Sequence, residues 1–183
     1  DYKGSTSTYK TNLLGKHNAM CSCAAILVGY VYGMEATEIQ KGLDLIKPIE
    51  GRMNPKKGKW GLVIDDTYNA SPASVKSAMD TLVELDPSSN ILVLGDMMEL
   101  GDYEKEAHYE IGVYARDKGI KHLAVYGNAI ENTLLGFDKK EVSFRGRTHS
   151  ELVTWVEGLD SGTVLVKGSH SMKMDEVVDR LVV

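Results

Sequence analysis

The stretch LVIDDTYNASPASV, residues 62 to 75, ends an apolar run on two adjacent acids and then turns, through Tyr, Asn, Ser and Pro, into a helical pattern. A strand that only fills a core has no need of that ending. Side chains alternate along a strand, so Asp65 and Asp66 face opposite sides and serve different ends. One of them, with Asp66 preferred, can accept hydrogen bonds from ribose hydroxyls or hold Mg2+ through water. The structural alternative is an acid that caps the next helix. In the turn that follows, Asn69 or Ser71 is the N-cap and Pro72 the first helical residue, where a missing N–H does no harm.

Two further stretches carry chemistry-bearing residues. LGDMMELGD, residues 94 to 102, sets Asp96, Glu99 and Asp102 in a Gly-bounded loop, which suits a cationic or amine-bearing substrate or, alternatively, plain solvation. His108 on the helix that follows reads as a structural residue. VKGSHSMKM puts Lys167, Gly168 and Ser169 ahead of a helix, where backbone amides and a lysine can bind a carboxylate or phosphate. The G-x-x-x-x-G-K-[ST] phosphate loop occurs nowhere in the chain. Arg52 stands in a polar joint, a placement that suits a phosphate clamp; a solvated hinge arginine is the plain alternative.

The elements that must position these groups are legible from pattern. Residues 17 to 33 are small and apolar and predict a helix ended at Gly33. A second helix starts with Thr37 as N-cap and is stopped by Pro48. Residues 49 to 60, IEGRMNPKKGKW, form a polar joint, and the predicted boundary divides the chain into 1–50 and 51–183. Beyond it, LVIDD, NILVLGD, KHLAVYG, EVSFRG and TVLVKGS alternate with helical patterns over 72–85, 103–118, 128–135, 150–158 and 172–183. That rhythm predicts an α/β fold, a Rossmann-like parallel sheet of five strands with helices on both faces, preceded by a short, mostly helical segment. The runs are continuously apolar, as strands buried on both sides require. Ligands of such sheets sit beyond the carboxyl ends of the strands, where Asp66, Asp96 and Lys167 fall.

A length of 183 residues fits one domain, or one domain and a piece of another. The net charge of −5 argues against nucleic acid as a partner. Cys21 and Cys23, the only cysteines, lie two apart in the apolar helical pattern and read as small core residues. Such low cysteine use fits a reducing cytoplasm. No apolar stretch reaches the roughly 20 residues that span a bilayer, so no membrane is expected. The opening DYKGSTSTYKTN is polar, strand-like in places, and abrupt, as in a chain cut from something longer.

Five segments together resemble the Mur ligase family: LLGKHNAMCSCAAI, the Gly51-Arg52 pair, IDDTYNASPASVKSAMDTL, LVLGDMMELGDY with His108 after it, and VLVKGSHSMKM. The resemblance covers nearly the whole chain. The D-D-T-Y-N-A-x-P and G-D-M-x-E-L-G runs resemble one branch, which joins D-alanyl-D-alanine to UDP-N-acetylmuramoyl-tripeptide in peptidoglycan synthesis. The resemblance implies an ATP-dependent ligase working through an acyl phosphate. Residues 1–50 would be the tail of its central ATPase domain and 51–183 its C-terminal Rossmann-like domain, with the phosphate loop and most Mg2+ ligands in a part not present here. This part alone is then expected to be inactive. By the same resemblance, the ATP-binding residues are Asn18, which contacts adenine, its motif neighbour His17, Arg52 at the triphosphate, and Asp66 on the ribose or phosphate side. Tyr68, Asn69, Asp96, Glu99, Lys167 and Ser169 take the substrate side. His170 stands where the family leads one to expect arginine. Folate- and glutamate-adding relatives, which carry a histidine near the place of Asn69, are the alternative enzyme, and a non-catalytic nucleotide-binding module is the alternative of another class. A helix cut from its central domain exposes an apolar face, which is expected to fold back on the rest of the chain or to self-associate.

Overall fold

The computed structural model describes residue 4 and residues 6–183. The strand-like reading of the opening lies outside the described residues at 1–3 and 5, and residues 6–12 contain no strand.

Six strands form one sheet in the order β1-β2-β6-β3-β4-β5. They are β1 (Asn54–Lys57), β2 (Leu62–Asp66), β3 (Asn90–Gly95), β4 (His122–Tyr126), β5 (Ser143–Gly146) and β6 (Thr163–Lys167). The five predicted runs are β2 to β6, and every pairing among them is parallel. The last strand is inserted between the first two of the parallel set. Its register sets Lys167 beside Asp66 on β2 and beside Leu94 on β3. Side chains of alternate parity feed two cores. Ile64, Leu92, Leu94, Leu123 and Leu165 meet helices α3 (Pro72–Leu85), α4 (Glu104–Lys118) and α5 (Glu131–Phe137) on one face. Val63, Ile91, Val93, Val164 and Val166 meet α6 (His149–Glu157) and α7 (Asp175–Leu181) on the other.

The joint differs from its expected loose form. Residues 54–57 pair antiparallel with β2 as a sixth strand, and Pro55 is tolerated because β1 is an edge. The joint is pinned from both sides: Asp65 accepts from the Gly51 N–H and Asp66 from the Met53 N–H, both at 3.1 Å. Met53 is 1% exposed, so the connection belongs to the core. The final helix is also shorter than predicted. Residues 170–172 form a 3-10 turn, and Lys173 takes φ 50°, which breaks the helical path before α7.

The leading segment forms α1 (Lys16–Val31) and α2 (Ala36–Asp44). Glu35, not Thr37, caps α2, in a reciprocal capping box with Glu38. Only the start of α1 reaches α3, through Lys16–Glu84 at 2.6 Å and His17–Ser77 at 3.4 Å. The predicted folding-back of its apolar face does not occur: Met20 is 74% and Val31 67% exposed. Cys21 and Cys23 are exposed too, correcting the core reading. The reason is that α1 is apolar over most of its circumference, while α2 and α3 cover one narrow strip of it. Among the described residues, no helix is long and apolar enough to cross a membrane.

Helices α4 and α5 approach closely at Gly112 and Gly136. A Cβ at Gly112 would collide with the Thr133 carbonyl, and one at Gly136 with the Tyr109 carbonyl. Backbone on both sides leaves no flexible group to yield. Gly112→Ala is expected to lower unfolding stability by about 2 kcal/mol, read as a shifted urea midpoint. An unshifted midpoint would mean that the helices can separate without cost.

Candidate functional site

The carboxyl ends of β2, β6 and β3 lie side by side, and two clefts open above them. The first, about 720 Å³, is lined by His17, Asn18, Arg52, Asp66, Lys167 and the start of α3. The second, about 610 Å³, is lined by Tyr68, Met98, Glu99, Leu100, Ser169 and His170. Asn69, Ala70 and Ser71 line both and form a shared wall.

That wall follows from local sequence. Ser71 caps α3, its Oγ accepting from the Ser74 N–H, and Pro72 supplies the first helical residue. Of the two cap candidates the structure selects Ser71. Asn69 turns its Oδ1 onto the adjacent Ala70 N–H at 2.8 Å. Ser71, Ser74 and Ser77 then line the first cleft at helical spacing. No functional reading of the sequence singled out Ser74 and Ser77, although their i, i+3 periodicity from the cap was visible.

Asp66 and Lys167 meet beneath the first cleft. The Lys167 ammonium donates to Asp66 Oδ2 at 2.6 Å and to the Asn69 carbonyl at 2.7 Å. Both side chains are nearly buried, 10% and 3% exposed. Asp66 still lines the cleft and is not walled off from it. Burial pushes the Lys167 ammonium below the usual lysine range and the Arg52 guanidinium adds to that, while Asp66 pulls the other way. Asp65 points away from the cleft, as strand alternation requires. It accepts from the Gly51 N–H and the Thr67 hydroxyl and pairs with Lys56 at 3.1 Å, so its work is structural.

Arg52 lies over the Tyr68 ring, 3.9 Å from its centroid, and the Tyr68 ring is 5.9 Å from that of His170. The row of side chains thus runs from one cleft into the other. At the mouth of the first cleft, Asn18 donates to the Leu14 carbonyl at 2.7 Å, leaving its amide oxygen available. His17 is exposed beside it.

The substrate-side candidates separate. Glu99, with φ 64°, and Ser169 line the second cleft. Asp96 lines neither. Its carboxylate is turned under the rim to accept from the N–H groups of Asn128 at 2.7 Å and Ala129 at 3.2 Å. Gly127, at φ 136°, lets it in, since any Cβ there would collide with the carboxylate. The sequence placed Asp96 at the rim but could not show that the β4–α5 loop takes both its oxygens.

A nucleotide fits the first cleft by its donor set: two cations for phosphates, one carboxylate for a hydroxyl, one amide for a purine edge. Magnesium does not. Asp66 is the only carboxylate among the residues lining the first cleft and is paired, and the described residues contain no group of three or more His, Cys, Asp or Glu able to hold a metal ion.

The electrostatics give a direct expectation. Lys167 should titrate below an ordinary lysine, and Asp66→Asn should lower it further by removing the group that favours the charge. NMR of the labelled ammonium would read both. A Lys167 that titrates like a surface lysine would refute the buried pairing.

Known proteins resemble the chain as a whole in sequence and in fold. The chain is 36% identical over 187 residues to the UDP-N-acetylmuramoyl-tripeptide–D-alanyl-D-alanine ligase of Bacillus subtilis (strain 168), across 98% of this chain and 41% of that protein. It is 33% identical to the protein of the same name from Escherichia coli (strain K12), across 92% of this chain and 38% of the other. The chain therefore spans about two fifths of the length of these relatives. Among solved structures, MurF from Acinetobacter baumannii superposes with a TM-score of 0.85 at 26% identity, over 97% of this chain and 40% of that one. MurF from Thermotoga maritima, solved in complex with ADP, shares the fold with a TM-score of 0.79 at 23% identity, over 92% of this chain and 38% of that one. The family model described as "Mur ligase, glutamate ligase domain" matches residues 51–170, which hold the sheet, the shared wall and the strand-end acids Asp65, Asp66 and Asp96. By that match and by these relatives, the chain belongs to the Mur ligase family.

Proposed function

We propose that this chain forms one side of the active site of an ATP-dependent ligase that adds D-alanyl-D-alanine to UDP-N-acetylmuramoyl-tripeptide in peptidoglycan synthesis, in the cytoplasm. The relatives' names supply the reaction. The observation that carries it here is the shared wall: Asn69, Ala70 and Ser71 stand between a cleft with cations and a cleft with an acid.

ATP supplies a phosphoryl group to the tripeptide carboxylate, so that phosphate rather than hydroxide leaves when the dipeptide amine forms the amide bond. This chain's residues bind and orient. Asn18 and His17 meet the adenine, Asp66 accepts from the ribose, and Arg52 and Lys167 face the phosphates. The Glu99 carboxylate receives the dipeptide's ammonium, with Tyr68, Asn69 and Ser169 about it. Magnesium is held by residues outside this chain. Residues 1–50 act as the edge of the ATPase domain and residues 51–183 as the domain that closes on it. Without a phosphate loop, this chain by itself turns over no ATP.

The test is a titration of the isotopically labelled chain with ADP, followed by backbone NMR. Shifts are expected at Asn18, Arg52, Asp66 and Ser71 to Ser77, with none around Phe144 and Trp155 on the far edge of the sheet. Arg52→Ala should abolish most of the response. Shifts confined to another face, or ATP hydrolysis by the purified chain, would overturn the proposal.

A further inference from the structure

The second cleft owes the shape of one wall to a side chain that does not touch it. His108 is fully buried on α4. Its Nε2 faces the Met97 N–H at 3.1 Å, and its Nδ1 lies 2.8 Å from the Glu104 carbonyl. A backbone N–H can only donate, so Nε2 is an acceptor and carries no proton. The ring proton therefore sits on Nδ1 and donates to Glu104. The Asp96 carboxylate is close by, with Oδ1 3.8 Å from Nε2. Its oxygens are already taken by the amides of Asn128 and Ala129.

Met97 is the second residue after the end of β3. The next residue, Met98, donates its N–H to Ser169 Oγ at 2.8 Å, and the Ser169 N–H donates to the Asp96 carbonyl at 3.1 Å. The loops after β3 and β6 are thereby fastened to each other, and His108 fastens the first of them to α4. Out of this fastening emerges Glu99 in a left-handed conformation, φ 64°, which a residue without glycine's freedom adopts only when its surroundings hold it there.

We propose that His108 is the positioning residue of the second cleft: through the Met97 N–H it fixes the Met98–Leu100 wall and so the direction in which Glu99 presents its carboxylate. This rests on the reading of that cleft as the receiving site for an amine-bearing dipeptide. His108 touches no substrate and moves no proton.

Two substitutions separate positioning from general packing. His108→Asn keeps a donor near Glu104 but is too short to reach Met97. His108→Gln places an amide oxygen near the Nε2 position and can accept from Met97. In the labelled chain, His108→Asn is expected to speed amide exchange at Met97 and Met98 by about tenfold, with the sheet amides unchanged. It should weaken D-alanyl-D-alanine binding by about fivefold, the scale of one lost hydrogen bond, and leave ADP binding unaltered. His108→Gln should restore both. The proposal is overturned if His108→Asn leaves Met97 and Met98 protected, if it speeds exchange throughout the sheet and weakens ADP and dipeptide alike, if it frees the loop without affecting a dipeptide that the unmodified chain binds, or if Gln behaves like Asn. Should the unmodified chain bind no dipeptide, the reading of the cleft falls, and the exchange comparison still decides whether His108 fixes the wall.

Discussion

The Asp66–Lys167 pair is the constraint on which the site depends. The two residues are 101 positions apart, yet they are strand neighbours because β6 is inserted between β2 and β3. An ammonium and a carboxylate this deeply covered are stable only when each satisfies the other, and the cost of leaving one alone is several kcal/mol. The pair therefore ties the sheet's register to the cleft above it. Lys167 reaches further, to the Asn69 carbonyl, and so holds the shared wall at its first residue. Asp66 reaches back to the Met53 N–H and holds the joint from which Arg52 projects. One ion pair thus positions two of the segments that surround the first cleft, the shared wall and the joint.

The second cleft is built by a different device, backbone hydrogen bonds to buried side chains. Asp96, His108 and Ser169 each bond to main-chain groups of a neighbouring loop. These bonds are directional and sit away from water, so the loops after three strands are fixed relative to one another without a charged contact in the cleft itself. Among the described residues, no cation pairs with Glu99, which the proposed role as receptor for the dipeptide's ammonium would require.

Much of this was legible in the sequence, and the exceptions have physical causes. Continuous apolar runs announced β2, β3, β4 and β6, because both faces of such strands lack water, whereas the weaker run EVSFRG became β5, an edge strand only partly buried. The edge strand at residues 54–57 was hidden, because an edge needs neither apolar alternation nor freedom from proline, and its polar sequence reads as a joint. The exposed cysteines of α1 were misjudged because an apolar helix signals burial without naming what buries it; within this chain the covering surface is narrow. At the site, Arg52 could be nominated by its place in the joint, and Asp66 and Lys167 by type and strand-end position. Their mutual pairing could not, since it depends on strand order, which single-sequence patterning does not carry. Asp96 and Asp66 look alike in sequence, each an acid at a strand end, yet one faces a cleft and the other is bound under the rim. The glycine at position 127 decides that difference.

The most direct test of the central claim is a double-mutant cycle on unfolding stability with Asp66→Asn, Lys167→Met and both together. Each single change strands a buried partner and is predicted to cost about 3 kcal/mol, whereas the double change removes both charges, so the cycle should show a coupling of at least about 1.5 kcal/mol. Single costs that add to within about 0.5 kcal/mol would mean the two side chains act independently, and the account of how the rim is held would be contradicted.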